Sequence, residues 1–151
     1  MEKGPHEGTT VLAFDFGEKR IGVAVGDLDL RIAHPLSTVA AEDNATRFSE
    51  LGKLIAEWRP TRLVVGLPMH ADGAEHEMSR LARRFAQRLE GRFCVPVALV
   101  DERLTSKSAE SRLRESGMRS RDIGAALDAA AACEILQAWF EGMSSAEAPK
   151  G

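Results

Sequence analysis

Residues 11–27 read VLAFDFGEKRIGVAVGD. Two β-rich runs, Thr10–Phe16 and Ile21–Gly26, flank GEKR, whose turn chemistry predicts a hairpin. Alternation along the first run sends Leu12, Phe14 and Phe16 to one face and Val11, Ala13 and Asp15 to the other. A carboxylate inside such a run is expensive, because a desolvated charge is costly unless a cation meets it. Gly17 after it offers the bland alternative, a structural turn former.

Outward from this hairpin, Ile32–Val39 predicts a third, weaker strand, with Pro35 pointing to an edge or an irregularity. A helix is expected over 45–58, where Phe48, Leu51, Ile55 and Trp58 recur at helical spacing and Pro60 ends the pattern. Arg62–Leu67 reads as a short apolar strand, Glu75–Leu89 as an amphipathic helix and Val95–Val100 as a further strand. Helical patterns resume over Ser106–Ser116 and Ala125–Glu141. Three leading strands imply an antiparallel portion, and the later alternation implies parallel strands joined through helices. The expectation is an α/β fold: one domain over 9–142, a mixed sheet with helices on both faces, and flexible tails at 1–8 and 143–151. Ligand sites in such sheets form outside the carboxyl ends of the strands.

A chain of 151 residues is long enough to bury a core without staples. No apolar run reaches the length of a membrane span, and MEKGPHEG is no secretory signal, so the expected compartment is the cytoplasm. Cys94 and Cys133 lie in apolar segments and read as buried thiols. A net charge of −3 argues against a non-specific polyanion binder. Between Arg103 and Arg121, however, six basic residues face two acidic ones, leaving room for phosphate contacts.

Two more acids stand at junctions. VALVDER (97–103) ends an apolar run with Asp101 and Glu102, of which alternation lets one face the site. ALDAAAACEILQAWF (126–140) places Asp128 on a stripe with Ala131, Ala132, Ile135, Leu136 and Trp139. The small alanines let that helix approach the sheet closely. Acids that converge only in the fold suggest a divalent metal site.

DFGEKRIGVAVGD, VVGLPMHADG, VDERLTS and LDAAAACEIL, in this order and spacing, closely resemble the YqgF-like (RuvX) family, also described as pre-16S rRNA nucleases or Holliday junction resolvases. The resemblance covers the chain from about Thr10 to Gly142. It implies a ribonuclease H-like fold with a five-stranded mixed sheet. It also implies metal-dependent phosphodiester hydrolysis, most directly in processing the 5′ end of pre-16S rRNA. Asp15, Glu102 and Asp128 are then the catalytic and metal-binding residues. Two Mg²⁺ or Mn²⁺ ions in such a site activate water and stabilise the attacking and leaving oxygens; no histidine or cysteine cluster points to zinc. The fourth strand ends in GLPMH without the carboxylate many nucleases of this fold carry there, and DER takes its place.

Lys19, Arg20, His70, Arg103, Lys107, Arg119 and Arg121 are the candidate substrate contacts. Arg80, Arg84 and Arg88 form a second basic stripe, opposite an apolar helix face, with a solvated surface as its ordinary meaning. The implied partner is nucleic acid, structured RNA or branched DNA. With no tyrosine and 5% aromatic residues, shape and phosphate reading are favoured over base stacking. Two other readings stay open: an ATPase of the actin or sugar-kinase kind, and a non-catalytic RNA or transcription adaptor. Monomer and dimer are equally compatible with the sequence.

Overall fold

The computed structural model describes residues 8–68, 72, 74, 77–102 and 120–147, with the backbone alone for 120–127 and 144–147. Five strands, β1 (Thr10–Asp15), β2 (Arg20–Asp27), β3 (Ile32–Ala40), β4 (Arg62–Leu67) and β5 (Val97–Asp101), form one sheet in the order β3-β2-β1-β4-β5. β1–β2 and β2–β3 pair antiparallel; β1–β4 and β4–β5 pair parallel. The helices are α1 (Asn44–Trp58), α2 (Glu77–Phe93) and α3 (Ser120–Glu147). No helix among the described residues is long and apolar enough to cross a membrane.

The alternation in β1 divides the core into two layers. Leu12 and Phe14 pack with α1 and α2 residues such as Phe48, Leu51, Phe85 and Leu89. Val11 and Ala13 pack with Ala132, Ile135, Leu136 and Phe140 of α3. Pro35 acts as its sequence position predicts: β3 is an edge strand, and the register shifts opposite Val23/Ala24, leaving Leu36 unpaired.

Several local expectations change. Cys94 is exposed, because it closes α2 in a left-handed conformation (φ 58°) with its N–H donated to Glu90 O, which turns the side chain off the core. Cys133 is partly buried against the α3 layer. β5 starts at Val97 rather than Val95, since Pro96 has no N–H to donate to the ladder. α3 runs through Glu147, into the stretch read as a tail. The helix expected over 106–116 lies outside the described residues.

The turn between β1 and β2 is fixed from α1. Asp43 caps that helix by accepting the Thr46 N–H at 2.8 Å. One turn on, the buried Arg47 donates from Nε to Ala41 O at 2.6 Å and from Nη2 to Gly17 O at 2.8 Å. Its guanidinium also lies 5.4 Å from the centre of the Phe16 ring. Replacing Arg47 by Met keeps the bulk but leaves two carbonyl oxygens without their charged donor. The expected loss is about 2 kcal/mol, read as a lower urea midpoint at unchanged slope.

Candidate active site

Alternation along three neighbouring strands assembles the site on the α3 face. Val11, Ala13 and Asp15 on β1, Val64 and Gly66 on β4, and Ala98 and Val100 on β5 turn the same way. Glu102 continues the β5 series one step beyond the strand. The parallel register pairs Phe14 with Val65 and Gly66 with Val100, which brings Asp15 level with Gly66. Asp15 and Glu102 therefore face one another across β4, their backbones roughly 10 Å apart at the usual strand spacing.

Gly66 makes that approach feasible. A Cβ there would stand 2.9 Å from Glu102 Oε2 and 2.4 Å from Ile135 Cδ1. The role of Gly66 is one of space rather than of a turn. It lies inside β4 with no positive φ, and what it supplies is space for an acid and a helix side chain. Gly22, the β2 partner of Asp15, does the same for α3: a Cβ there would lie 1.8 Å from the Asp128 carbonyl oxygen. The helix backbone rests directly on the sheet at this point, and Asp128 arrives beside Asp15.

The electrostatics follow from this crowding. Burial, and then the charge of Asp128, push the Asp15 carboxyl up to about 6. Burial, followed by the charges of Asp15 and Asp101, pushes Glu102 up to about 7. Burial also raises Asp128, against the pull of Arg20. Glu102 of DER thus feels the charge of Asp15. Arg20 Nε comes within 2.9 Å of Asp128 Oδ2, but the alignment makes no hydrogen bond, and this buried oxygen has none. The contact is a charge pair with a half-exposed arginine rather than a hydrogen bond.

These shifts predict a pH dependence. Folded Asp15 and Glu102 hold protons that the unfolded chain releases near pH 4, so stability falls as pH rises from about 4 to about 7. The two titrate as a coupled pair, and each shift corresponds to at most roughly 3 kcal/mol. In EDTA the urea midpoint is expected to drop across that window. An Asp15→Asn/Glu102→Gln variant should lose the drop.

Three hard oxygen donors of this kind suit a divalent cation in chemistry. Among the described residues, no three Asp, Glu, His or Cys side chains stand at the spacing that holds one ion. Arg20 and Lys19 sit on the β1–β2 side, both exposed, with Arg20 committed to Asp128 where the sequence offered a phosphate contact or a solvated surface. Arg121 falls within α3, its side chain not described; His70, Arg103, Lys107 and Arg119 lie outside the described residues. Sequence reasoning missed Gly22 and Gly66 as parts of the site, although a glycine inside a strand is itself a sign of close approach.

The chain is similar to known proteins over nearly its whole length. The RuvX family model, described as Holliday junction resolvase, matches residues 9–142. A protein of Dechloromonas aromatica named "Putative pre-16S rRNA nuclease" is 62% identical over 87% of this chain and 90% of that one. One of the same name from Neisseria meningitidis serogroup C is 51% identical over 94% and 93%. Among solved structures, Thermus thermophilus RuvC in complex with a Holliday junction substrate superposes with a TM-score of 0.55 at 14% identity. It covers 89% of this chain and 95% of that one, and the likeness is one of fold. The chain belongs to the RuvX family and is a nuclease on the ribonuclease H-like fold.

Proposed function

We propose that this chain hydrolyses phosphodiester bonds in the 5′ leader of pre-16S rRNA, with Asp15, Glu102 and Asp128 as the residues that hold Mg²⁺ or Mn²⁺. The observation that carries the catalytic part is the convergence of three acids from β1, the end of β5 and α3 on one face of the sheet. Burial holds all three above the ordinary carboxylate range, with repulsion from neighbouring acids adding to it at Asp15 and Glu102. Such a cluster destabilises the fold unless positive charge arrives. The RNA part rests on the names carried by relatives 51–62% identical.

When bound, a divalent ion supplies charge to activate water and to stabilise the leaving oxygen. The residues provide the rest. Asp15 and Glu102 approach across the gap left by Gly66, and Asp128 would add its carboxylate to the donor set from α3. Ile135 and the alanines of α3 exclude water from the underside. Arg20 holds Asp128 in place and keeps a half-exposed positive charge beside the site for an incoming phosphate.

A second reading, cleavage of branched DNA, is favoured by the description of the family. The test runs both substrates together: labelled pre-16S 5′ leader and a four-way DNA junction, each with Mg²⁺, Mn²⁺ or EDTA, against wild type and Asp128→Asn. Metal-dependent cutting of the leader, lost in the variant, is the expected result. Cutting of the junction alone transfers the chemistry to DNA. Binding without cutting, retained at full strength by Asp15→Asn/Asp128→Asn, establishes the adaptor reading instead.

A further inference from the structure

A groove opens between α1 and α2 beside the β1–β2 turn, one residue past Asp15. Its cavity of about 330 Å³ has Phe16, Phe48 and Phe85 in its walls, Arg47 in its floor and Arg84 and Arg88 on its rim. The floor arginine is spent, buried and hydrogen-bonded to two backbone carbonyls. The rim arginines are not. Both are exposed, and among the described residues neither has a hydrogen bond, ion pair or ring contact. Other arginines of α2 differ: Arg80 is paired with Glu77, and Arg92 lies 5.0 Å from the centre of the Phe48 ring. The two unpaired guanidiniums of the stripe are thus the two that border the groove.

Position adds to this. The acids face α3, the groove faces the opposite side of the sheet, and the Phe16–Lys19 turn is the ridge between them. Arg47 holds that ridge through the Gly17 carbonyl. A strand lying over the carboxyl end of β1 with its scissile bond at Asp15 descends next into the groove. Arg84 and Arg88, one helical turn or about 5.4 Å apart, then meet one phosphate or two successive ones. Glu18 and Glu42 also line the groove, and their charge acts on Arg47, leaving the α2 rim the cationic one.

We propose that the α1–α2 groove is a phosphate-backbone subsite for the substrate strand beyond the scissile bond, with Arg84 and Arg88 as its phosphate ligands. This rests on the nuclease reading above. The chemistry recognised is the phosphodiester backbone, common to RNA and DNA.

The test is equilibrium binding by anisotropy in an Asp128→Asn background with Mg²⁺, which separates binding from cleavage. The probes are fluorescein-labelled pre-16S 5′ leader RNA and a labelled four-way DNA junction, each titrated across salt concentration. Arg84→Ala/Arg88→Ala is expected to weaken one probe at least tenfold. It should also reduce the slope of log K against log salt by roughly 0.7–1.4 on single-stranded RNA or roughly 0.9–1.8 on duplex DNA, for one or two phosphates. Both positions are exposed on a helix that accepts alanine, so folding is preserved. Arg80→Ala should leave the slope unchanged. A parent that binds with its salt slope unaffected by the double substitution overturns the subsite alone. A parent that binds neither probe overturns the nuclease reading and the subsite with it.

Discussion

Asp15→Asn and Asp128→Asn are each expected to lower kcat for metal-dependent cleavage by on the order of 10³-fold or more, about 4 kcal/mol of barrier. Loss of a partner merely touching a metal ligand already costs about 10–100-fold, and these two are the proposed ligands themselves. Asparagine keeps the shape and removes the charge that attracts the cation. The fold should not suffer. Burial and repulsion already oppose ionisation of Asp15, so the amide is expected to hold or raise the unfolding midpoint at pH 8. Arg20 loses its partner in Asp128→Asn, but with half its side chain in water this matters little. The checks are single-turnover cleavage with excess Mn²⁺ and a urea titration on the same samples. Unchanged turnover in rigorously purified protein would move the chemistry away from these acids.

Gly22→Ala should do the opposite, damaging the fold first and activity as a consequence. The added Cβ would meet only backbone: the Asp128 carbonyl oxygen at 1.8 Å, its carbon at 2.2 Å and the Ala129 nitrogen at 3.0 Å. No rotamer change relieves that. α3 must lift from β2, loosening Ala132, Ile135, Leu136 and Phe140, all essentially fully buried. The expected cost is at least about 3 kcal/mol, the upper end for overpacked cores, out of a total stability of about 5–15 kcal/mol. Gly91→Ala is the internal comparison, since a Cβ there meets nothing within 4 Å and alanine favours the helix by about 0.5–1 kcal/mol. Denaturant unfolding of the two variants should move in opposite directions. An undisturbed midpoint for Gly22→Ala would mean that α3 does not rest on β2 as described.

The strands and their two faces were legible because alternation is a local property: Val11, Ala13 and Asp15 needed only their neighbours to be assigned together. Pro35 likewise announced an edge strand with a fault in it. The stripe on α3 came out displaced. The sequence favoured Asp128, Ala131, Ala132, Ile135, Leu136 and Trp139, whereas the buried set among the described side chains is Ala129, Ala132, Ile135, Leu136 and Phe140, with Ala131 and Trp139 at the margin. Four consecutive alanines carry too little apolar contrast to fix the helix rotation. Which of Asp101 and Glu102 turns inward depended on where β5 ends, and Gly66 reveals its purpose only when two elements distant in sequence close over it. Arg20 illustrates the same limit, because its partner lies more than a hundred residues away. The residues named from Arg103 to Arg119 as substrate contacts have no structural placement to compare.

Among the described residues, α3 is the helix that packs on the Asp15 face of the sheet, and it follows all five strands in the chain. During synthesis the sheet can therefore form while this face is still bare, with Val11, Ala13, Ala24, Val64 and Val100 uncovered. At about 5–20 residues per second, that interval lasts seconds. A chain arrested before α3 is sticky and also lacks Asp128. On the proposed assignment, the acid of α3 therefore joins Asp15 and Glu102 only when the segment that closes the fold has been made.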